Sequence, residues 1–289
     1  MSKFGRNYKL SIQTNVTENE SDIEFLVIEP PFTINFSIVR NNMASANTMT
    51  AEVFNLAQST RSKIFQDRID PTVYKRVILQ AGYNNLSTVF QGNLFSAGSV
   101  RRGSEIVTML DCRDGDYDIR NGQTVKTYAK ETANKTILED LLSSFKYLKK
   151  GKVTNVDGNL QRGTVIDENT FYWIKRQQEG VFIDLEKINI LKDNEYIAGD
   201  VPLITSESGL IGTPQRQNSF LSVTTLFEPR VVIGQLLEIQ SNIQKEYNGQ
   251  YKVIGIEHRG TISSAVGGQL VTKFNLLTQS QLFGQFKEL

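Results

Sequence analysis

The sequence has 289 residues, enough for two or three domains, and 39% of them are hydrophobic, enough for real cores. Lys and Arg number 32 against 31 Asp and Glu, so the charge balance predicts neither a sequence-specific nucleic-acid partner nor a membrane partner. No stretch approaches the roughly 18 consecutive apolar residues of a membrane span.

Residues 1–117 are predicted to form short antiparallel strands. Apolar and polar side chains alternate along several runs, which is the period of a strand with one buried face. Asn, Gly and Ser turns separate the runs, which favours a sandwich or barrel, with one short helix at Thr60–Asp67. The predicted strands are Tyr8–Ile12, Phe32–Ile38, Thr48–Leu56, Val77–Tyr83, Thr88–Phe95 and Glu105–Cys112.

Residues 118–205 are predicted to form a small α+β insert. Apolar residues within Ile137–Leu148 repeat at i, i+4 and i+8, which is the stripe of an amphipathic helix. We expect this helix to end at Lys149–Lys150, with Gly151 as its left-handed stop. The other expected elements are a helix from Asp167 to near Gly180 and a hairpin of Val181–Leu185 with Ile188–Lys192.

Residues 206–289 return to the strand pattern, with Phe220–Phe227 and Leu270–Leu277 among the predicted strands. Asn248-Gly249 lies between two strand-like runs and predicts a type I′ hairpin turn, because both central residues of that turn have positive φ. The predicted fold class is therefore mainly β, with two β-rich blocks flanking the α+β insert.

The sequence predicts no catalytic, cofactor-binding or metal-binding residues. His258 and Cys112 are the only residues of their types, so they cannot build a zinc site with three or four His and Cys ligands. Asp114–Asp118 resembles the start of a calcium loop, but Ile119 and Val125 stand where that loop requires Gly and Glu. We interpret this segment as a solvated acidic turn between domains. The lone cysteine also fits assembly in a reducing cytoplasm.

The order of several short motifs resembles phage baseplate hub proteins, including the central hub of T-even phages and the N-terminal part of type VI secretion spike proteins. Each motif alone is weak, and their order along the chain carries the resemblance. The motifs are Phe32–Phe36, Ala46–Leu56, Thr60-Arg61, Gly209–Pro214, Leu226–Pro229, Ile233–Gln235, Asn248–Val253 and His258–Gly260.

This resemblance implies two tube-like antiparallel β-barrel domains, 1–117 and 206–289, around the insert. It also implies a non-enzymatic subunit of the virion tail baseplate that forms a homotrimer. Six barrels in the ring would give pseudo-sixfold symmetry towards the hexameric tail tube and threefold symmetry towards the central spike. The implied partners are the tail tube protein, the spike protein, and baseplate wedge and tape-measure proteins.

For such a scaffold, the candidate site residues are those that shape turns and interfaces. Gly234, Asn248, Gly249 and Gly260 are expected to be backbone requirements, and Tyr251 is expected to be a core or cross-strand residue. The candidates for subunit contacts or for lining a lumen are Arg101, Arg102, His258 and Arg259, and Pro229 is expected to end the strand before it.

Two alternatives remain open from the sequence. A hexameric distal tail or adaptor ring protein would have the same kind of fold, because fold does not determine function. A peptidoglycan-degrading tail enzyme would use a pair of carboxylates, whose spacing only a three-dimensional structure reveals.

Overall fold

The computed structural model describes residues 5–17, 19–43, 46–67, 72–217, 220–278 and 286–289. The first β-rich block forms because its apolar residues alternate with polar ones, so each strand buries one face. Its elements are β1 (Asn7–Gln13), β2 (Phe25–Ile28), β3 (Ile34–Asn41), β4 (Thr48–Phe54), α1 (Gln58–Ile64), β5 (Arg76–Gly82), β6 (Leu86–Arg102) and β7 (Glu105–Arg113).

The insert alternates helices with short strands. Its elements are α2 (Asp116–Asn121), β8 (Gln123–Tyr128), α3 (Asn134–Leu142), β9 (Lys149–Val153), β10 (Thr164–Asn169), α4 (Thr170–Gln177), β11 (Val181–Asp184), β12 (Lys187–Ile190) and β13 (Glu195–Tyr196). The remainder of the chain comprises β14 (Leu203–Thr205), β15 (Leu210–Gln217), β16 (Phe220–Leu226), β17 (Leu236–Gln240), β18 (Gly249–Ile262), β19 (Leu270–Leu277) and β20 (Lys287–Glu288).

One large sheet runs through both β-rich blocks. Its strands are hydrogen-bonded in the order β15-β16-β19-β18-β3-β4-β7-β6-β5-β1-β2, with β17 and β14 branching from β18. The long strand β18 pairs antiparallel with β3 from Gly255↔Asn41 to Ile262↔Ile34. This pairing makes the second block a direct continuation of the first.

Buried apolar side chains form three clusters. The first lies within β1–β7 and also includes Phe227, Ile262 and Leu270 from the second block. The second lies among β14–β19 and includes Phe182 and Leu191 from the insert. The third holds the insert together, with α3, α4 and the β11–β12 hairpin as its main contributors.

The mainly-β prediction with an α+β insert is confirmed, and one detail of it needs correction. Within the described residues the sheet does not close into two separate barrels. The reason is the β18–β3 pairing, since hydrogen-bonding groups that would close each barrel on itself join the two blocks instead.

The first predicted helix of the insert is shorter than its apolar stripe suggests. α3 ends at Leu142, and Lys149–Val153 forms β9, which pairs in parallel with β12. Tertiary pairing therefore overrides the expected helix end at Gly151. The second helix begins after Asn169, whose side chain accepts a hydrogen bond from the backbone N–H of Tyr172, so Asn169 and not Asp167 is its cap.

Among the described residues, no helix is long and apolar enough to cross a membrane.

Candidate functional site

A buried ion pair joins the first block to the insert. Arg40 on β3 donates from Nε to Oδ1 of Asp184 at 2.7 Å and from Nη2 to Oδ2 at 2.6 Å. Arg40 is 1% exposed and Asp184 is 7% exposed. Arg40 Nη1 also donates to the backbone oxygen of Val89 at 3.3 Å. Because an unpaired charge at this depth is very unfavourable, each side chain requires the other.

The turn between β11 and β12, residues 184–187, carries this contact, and we call it the docking turn. Leu185 (φ 53°) and Glu186 (φ 55°) adopt the left-handed conformation that Asn and Gly favour in such turns. Glu186 accepts hydrogen bonds from the Tyr74 hydroxyl and, at 2.8 Å, from Gln91 Nε2. Side chains of the first block therefore hold the docking turn in a conformation that its own residues disfavour.

Asp114, at the exit of β7, supports the docking turn through its backbone. Asp114 Oδ1 accepts the N–H of Glu186 at 2.8 Å, and its own N–H donates to the oxygen of Asn47 at 2.9 Å. Burial raises the pKa of Asp114 well above its usual value, and the nearby charges of Asp184 and Glu186 raise it further. Burial also raises the pKa of Glu186, against the hydrogen bonds that it accepts.

The segment Asp114–Asp118 is not the solvated acidic turn that its composition suggests. Asp116 is 6% exposed and Asp118 is 3% exposed. The Asp118 carboxylate accepts the backbone N–H groups of Lys146–Leu148 at 2.9, 2.7 and 2.6 Å, and Asp116 accepts from Arg120 Nε at 2.9 Å. Asp118 therefore holds the backbone of residues 146–148 in place, and Asp116 is neutralised by Arg120 one helical turn away. Across the described ranges, no group of three or more His, Cys, Asp or Glu side chains is arranged to hold a metal ion.

Three tyrosines extend the seam between the first block and the insert. The rings of Tyr74 and Tyr147 stack with centroids 3.6 Å apart, and Tyr117 packs edge-on against them at 5.8 and 4.9 Å. Such aromatic pairs add attraction beyond the area that they bury. The loop after α3 is thereby packed against the first block.

His258 does not lie on a surface, contrary to the expectation that it contacts a neighbour or lines a lumen. It is fully buried on β18, with Nδ1 2.9 Å from Thr272 Oγ1 and its ring edge-on to Phe227 at 5.2 Å. Burial and the charge of Arg40 lower the pKa of His258 well below its usual value. It is therefore a neutral core residue. Successive side chains of a strand point to opposite faces of the sheet, so His258 points into the core while its neighbour Arg259 points outwards.

The three arginines among the candidates are exposed. Arg259 on β18 forms an ion pair with Glu257. Arg102, at the end of β6, binds Glu52 Oε1 through Nη1 at 2.7 Å, and Arg101 donates to the oxygen of Gly103 in the following turn. All three are surface cations. Arg101 and Arg259 bind residues two positions away, and Arg102 reaches from β6 across β7 to Glu52 on β4.

Two of the candidate glycines are needed by their surroundings. A Cβ atom on Gly260 would lie 2.4 Å from the backbone oxygen of Gln269. Gly234 has φ of 87°, and a Cβ atom there would lie 2.7 Å from a methyl group of Leu191. At Gly260 the close contact alone excludes a larger residue. At Gly234 both the close contact and the positive φ exclude one.

The predicted Asn248-Gly249 turn is wrong in type. Asn248 has φ of −74° and ψ of 137°, so it is extended, and Lys245–Tyr247 forms a single 3-10 turn instead of a strand. The Asn248 side chain accepts the N–H of Ser241 at 2.7 Å, which closes a longer loop between β17 and β18. Tyr251 lies in the second core cluster. Pro229 is buried just after β16.

Sequence reasoning missed the seam residues Arg40, Asp184 and Glu186. The one available signal is the docking turn, because Leu185-Glu186 joins two predicted strands without the Gly or Asn that such a turn favours. An unfavourable turn of this kind indicates that contacts from elsewhere hold it.

Several solved structures share this fold. A tail protein from Neisseria meningitidis matches with a TM-score of 0.60 at 8% identity, covering 96% of this chain and 97% of its own. The 43 kDa tail protein of prophage MuSo2 from Shewanella oneidensis matches with a TM-score of 0.58 at 11% identity, covering 93% and 98%. A type VI secretion component from E. coli, described as similar to the phage T4 tail proteins gp27 and gp5, matches with a TM-score of 0.59 at 8% identity, covering 89% and 76%.

These low identities establish a shared fold and nothing more. No functionally curated protein matches the sequence. A family model described as "Baseplate hub gp41" matches residues 11–261, which include both β-rich blocks and the insert. The chain belongs to this baseplate hub family of phage tail structural proteins.

Proposed function

We propose that this chain is a non-enzymatic hub subunit that forms a trimeric, pseudo-sixfold ring between the hexameric tail tube and the trimeric central spike. The observation that carries the proposal is the continuous run of eight strands, β15-β16-β19-β18-β3-β4-β7-β6, across two β-rich blocks. Family membership over residues 11–261 supports the same role. Two similar blocks per chain, repeated in three copies, supply six units around a ring.

The edge of β15 and the far end of β6, beyond its pairing with β5, are open in the part of the chain that the structure describes. β15 pairs only with β16, and residues 98–102 of β6 pair only with β7. Ile211 on β15 is 41% exposed, and Val100 on β6 is 40% exposed. A contact between β6 of one copy and β15 of the next is heterologous, and in this proposal a threefold rotation repeats it into a closed ring. It also covers edges that would otherwise invite aggregation.

A concave surface beside the β6 end fits this arrangement. A cleft of about 710 Å³ is lined by Gly98, Met109 and Phe65, among others. Phe65 is 62% exposed and Met109 is 38% exposed, so two large apolar side chains face this cleft together. We propose that the neighbouring copy contacts the exposed ring of Phe65 and leaves the strand residues of the cleft, among them Ser37 and Thr50, open to the proposed lumen.

The face of the run opposite the first core is mostly polar, with Val39 and Met109 as exposed apolar exceptions, and such a face suits the lining of a tube. On β3 and β4 the buried side chains alternate with polar ones such as Ser37 and Thr50. Lys273 on β19 lies opposite Glu257 on this face, and three close pairs of opposite charge also occur on it. These pairs are Arg102–Glu52, Arg113–Asp111 and Arg259–Glu257.

We propose the domain division 1–117, 118–205 and 206–289, supported by the three clusters of buried side chains. The proposed partners are further copies, the tail tube and spike proteins, and the wedge and tape-measure proteins. Assembly takes place in the host cytoplasm in this proposal.

Light scattering behind a size-exclusion column tests the proposal. One chain has a mass of 32.6 kDa, so a trimer gives about 98 kDa and a hexamer about 196 kDa. A trimer supports the hub. A hexamer supports the distal tail or adaptor ring instead, and a monomer at all concentrations, even with tube and spike proteins added, overturns both.

A further inference from the structure

Strand β2 is an open edge with acidic surroundings. Within the described residues it pairs only with β1, so one side of its backbone has no strand partner. Phe25 and Val27 on this strand are 40% and 44% exposed. The sequence between Gln13 and Phe32 contains five acidic residues and no Lys, Arg or His. The edge therefore presents exposed apolar side chains within a region of negative charge.

Strand β9 of the insert is an open edge of the opposite charge. Where the structure describes the chain, β9 pairs only with β12. It carries Lys149, Lys150 and Lys152, of which Lys150 forms an exposed ion pair with Glu139 on α3, and residues 141–156 contain four lysines and no acid. Lys187 on β12 lies directly opposite Lys149, which adds a further positive charge to the same small sheet.

The charges determine which edges can meet. Lysines on an edge strand keep two identical edges apart, and so do acids. An acidic edge and a basic edge attract each other, and this complementarity guides both recognition and register. The two strands also have similar lengths, since β2 comprises Phe25–Ile28 and β9 comprises Lys149–Val153.

We propose that β2 of one copy of this chain adds to the edge of β9 in the next copy. Within the described chain β2 pairs with β1 and β9 pairs with β12, so the proposed contact is one between two copies. Backbone hydrogen bonds between the strands supply affinity, and ion pairs between their flanks supply specificity. This inference rests on the proposed ring, in which the first block of one copy faces the insert and second block of its neighbour.

Zero-length cross-linking of the native chain tests the contact directly. A carbodiimide activates a carboxylate, which then forms an amide bond with a lysine amine in contact with it. Mixing isotope-labelled and unlabelled copies distinguishes cross-links between chains from those within one chain. We expect mixed-isotope peptides that join residues 14–31 to residues 141–156, identified by mass spectrometry.

Charge-reversal substitutions test the same contact through their effect on the association constant between copies. Glu24→Lys and Lys152→Glu each replace an attraction by a repulsion, so each is expected to lower the association constant about fivefold per interface. The double variant restores opposite charges and is expected to recover most of the loss. The matched control is K130E/E131K, which reverses an exposed ion pair of the insert and is expected to change nothing.

The outcomes separate this inference from the proposed ring. Trimers without the expected cross-links, or trimers that both single variants leave unchanged, overturn the β2–β9 contact and leave the ring standing. The expected cross-links in a sample that forms no closed ring support the contact and overturn the ring. A chain that shows neither cross-links nor assembly overturns both. Circular dichroism of each variant verifies that it remains folded.

Discussion

Arg40 and Asp184 lie 144 positions apart in the sequence and form a two-point ion pair inside the molecule, with N–O distances of 2.7 and 2.6 Å. Arg40 belongs to the strand that joins both β-rich blocks, and Asp184 begins the docking turn of the insert. The pair therefore ties the insert to the strand on which the continuity of the large sheet depends. The pair also helps to set the orientation of the insert relative to the first β-rich block.

Removing Arg40 is expected to be severely destabilising. Arg40→Met leaves the Asp184 carboxylate buried without its partner, and breaking one side of a buried pair costs about 3–5 kcal/mol. Urea unfolding of the purified chain measures the change. The control Lys130→Met removes a cation from an exposed pair and is expected to change stability by less than about 0.5 kcal/mol. An equal effect of both substitutions would contradict the structural role of the pair.

The docking turn is expected to respond to backbone preference at Leu185. Leu185→Val should destabilise by about 1–3 kcal/mol, because a β-branched residue strongly resists positive φ. Leu185→Asn should be neutral or stabilising, because Asn tolerates the left-handed conformation. Thermal unfolding of the two variants side by side measures the difference. Indistinguishable midpoints would show that φ at this residue does not limit stability.

Asp114 is expected to make stability depend on pH. Its pKa is raised in the folded state, so the folded chain binds the proton more tightly than the unfolded chain does. Its contribution is therefore fully present below the ordinary aspartate pKa of about 3.9 and is lost as pH rises through the folded-state value. As the pH rises from about 4 to about 8, the unfolding midpoint of Asp114→Asn should fall less steeply than that of the native chain.

The exposed residue Asp157 supplies the control for this pH series. Asp157→Asn is expected to leave the steepness of the native profile unchanged, because it removes a carboxyl that is not buried in the seam. If Asp114→Asn shows the native profile as well, the pH dependence of stability has another source.

Gly260 is expected to be intolerant of even one added carbon. Gly260→Ala places a Cβ atom 2.4 Å from the backbone oxygen of Gln269, so strands β18 and β19 must separate locally. Overpacking of this kind costs about 1–3 kcal/mol. Gly267→Ala is the matched control, because a Cβ atom there meets nothing within 4 Å. Chemical denaturation should separate the two variants, and equal stability would refute the steric requirement.

Much of the fold could be predicted from local pattern. Alternation along Ile34–Ile38 and Thr48–Phe54 identifies strands with one buried face, and these are β3 and β4. The apolar stripe after Thr136 identifies α3, and Val181–Leu185 with Ile188–Lys192 identifies the β11–β12 hairpin. Each of these signals depends on side chains within a few positions of one another, so each is readable without a partner strand.

The same local reasoning failed where a distant segment competed for the backbone. Lys149–Val153 looks like the end of a helix, yet pairing with β12 makes it a strand. Asn248-Gly249 has the composition of a tight turn, yet the hydrogen bond that the Ser241 N–H donates to Asn248 Oδ1 stabilises a longer loop. Local preferences amount to fractions of a kcal/mol per residue, and tertiary contacts routinely override them.

The sequence by itself therefore determined the fold class, the order of the β-rich blocks and insert, and the resemblance to baseplate hub proteins, because these follow from composition, periodicity and motif order. Only the tertiary structure decided that β18 continues the sheet of β3, that His258 is buried, and that Arg40 meets Asp184. The physical reason is that strand pairing and charge burial join residues far apart in the chain, and no local pattern specifies such partners.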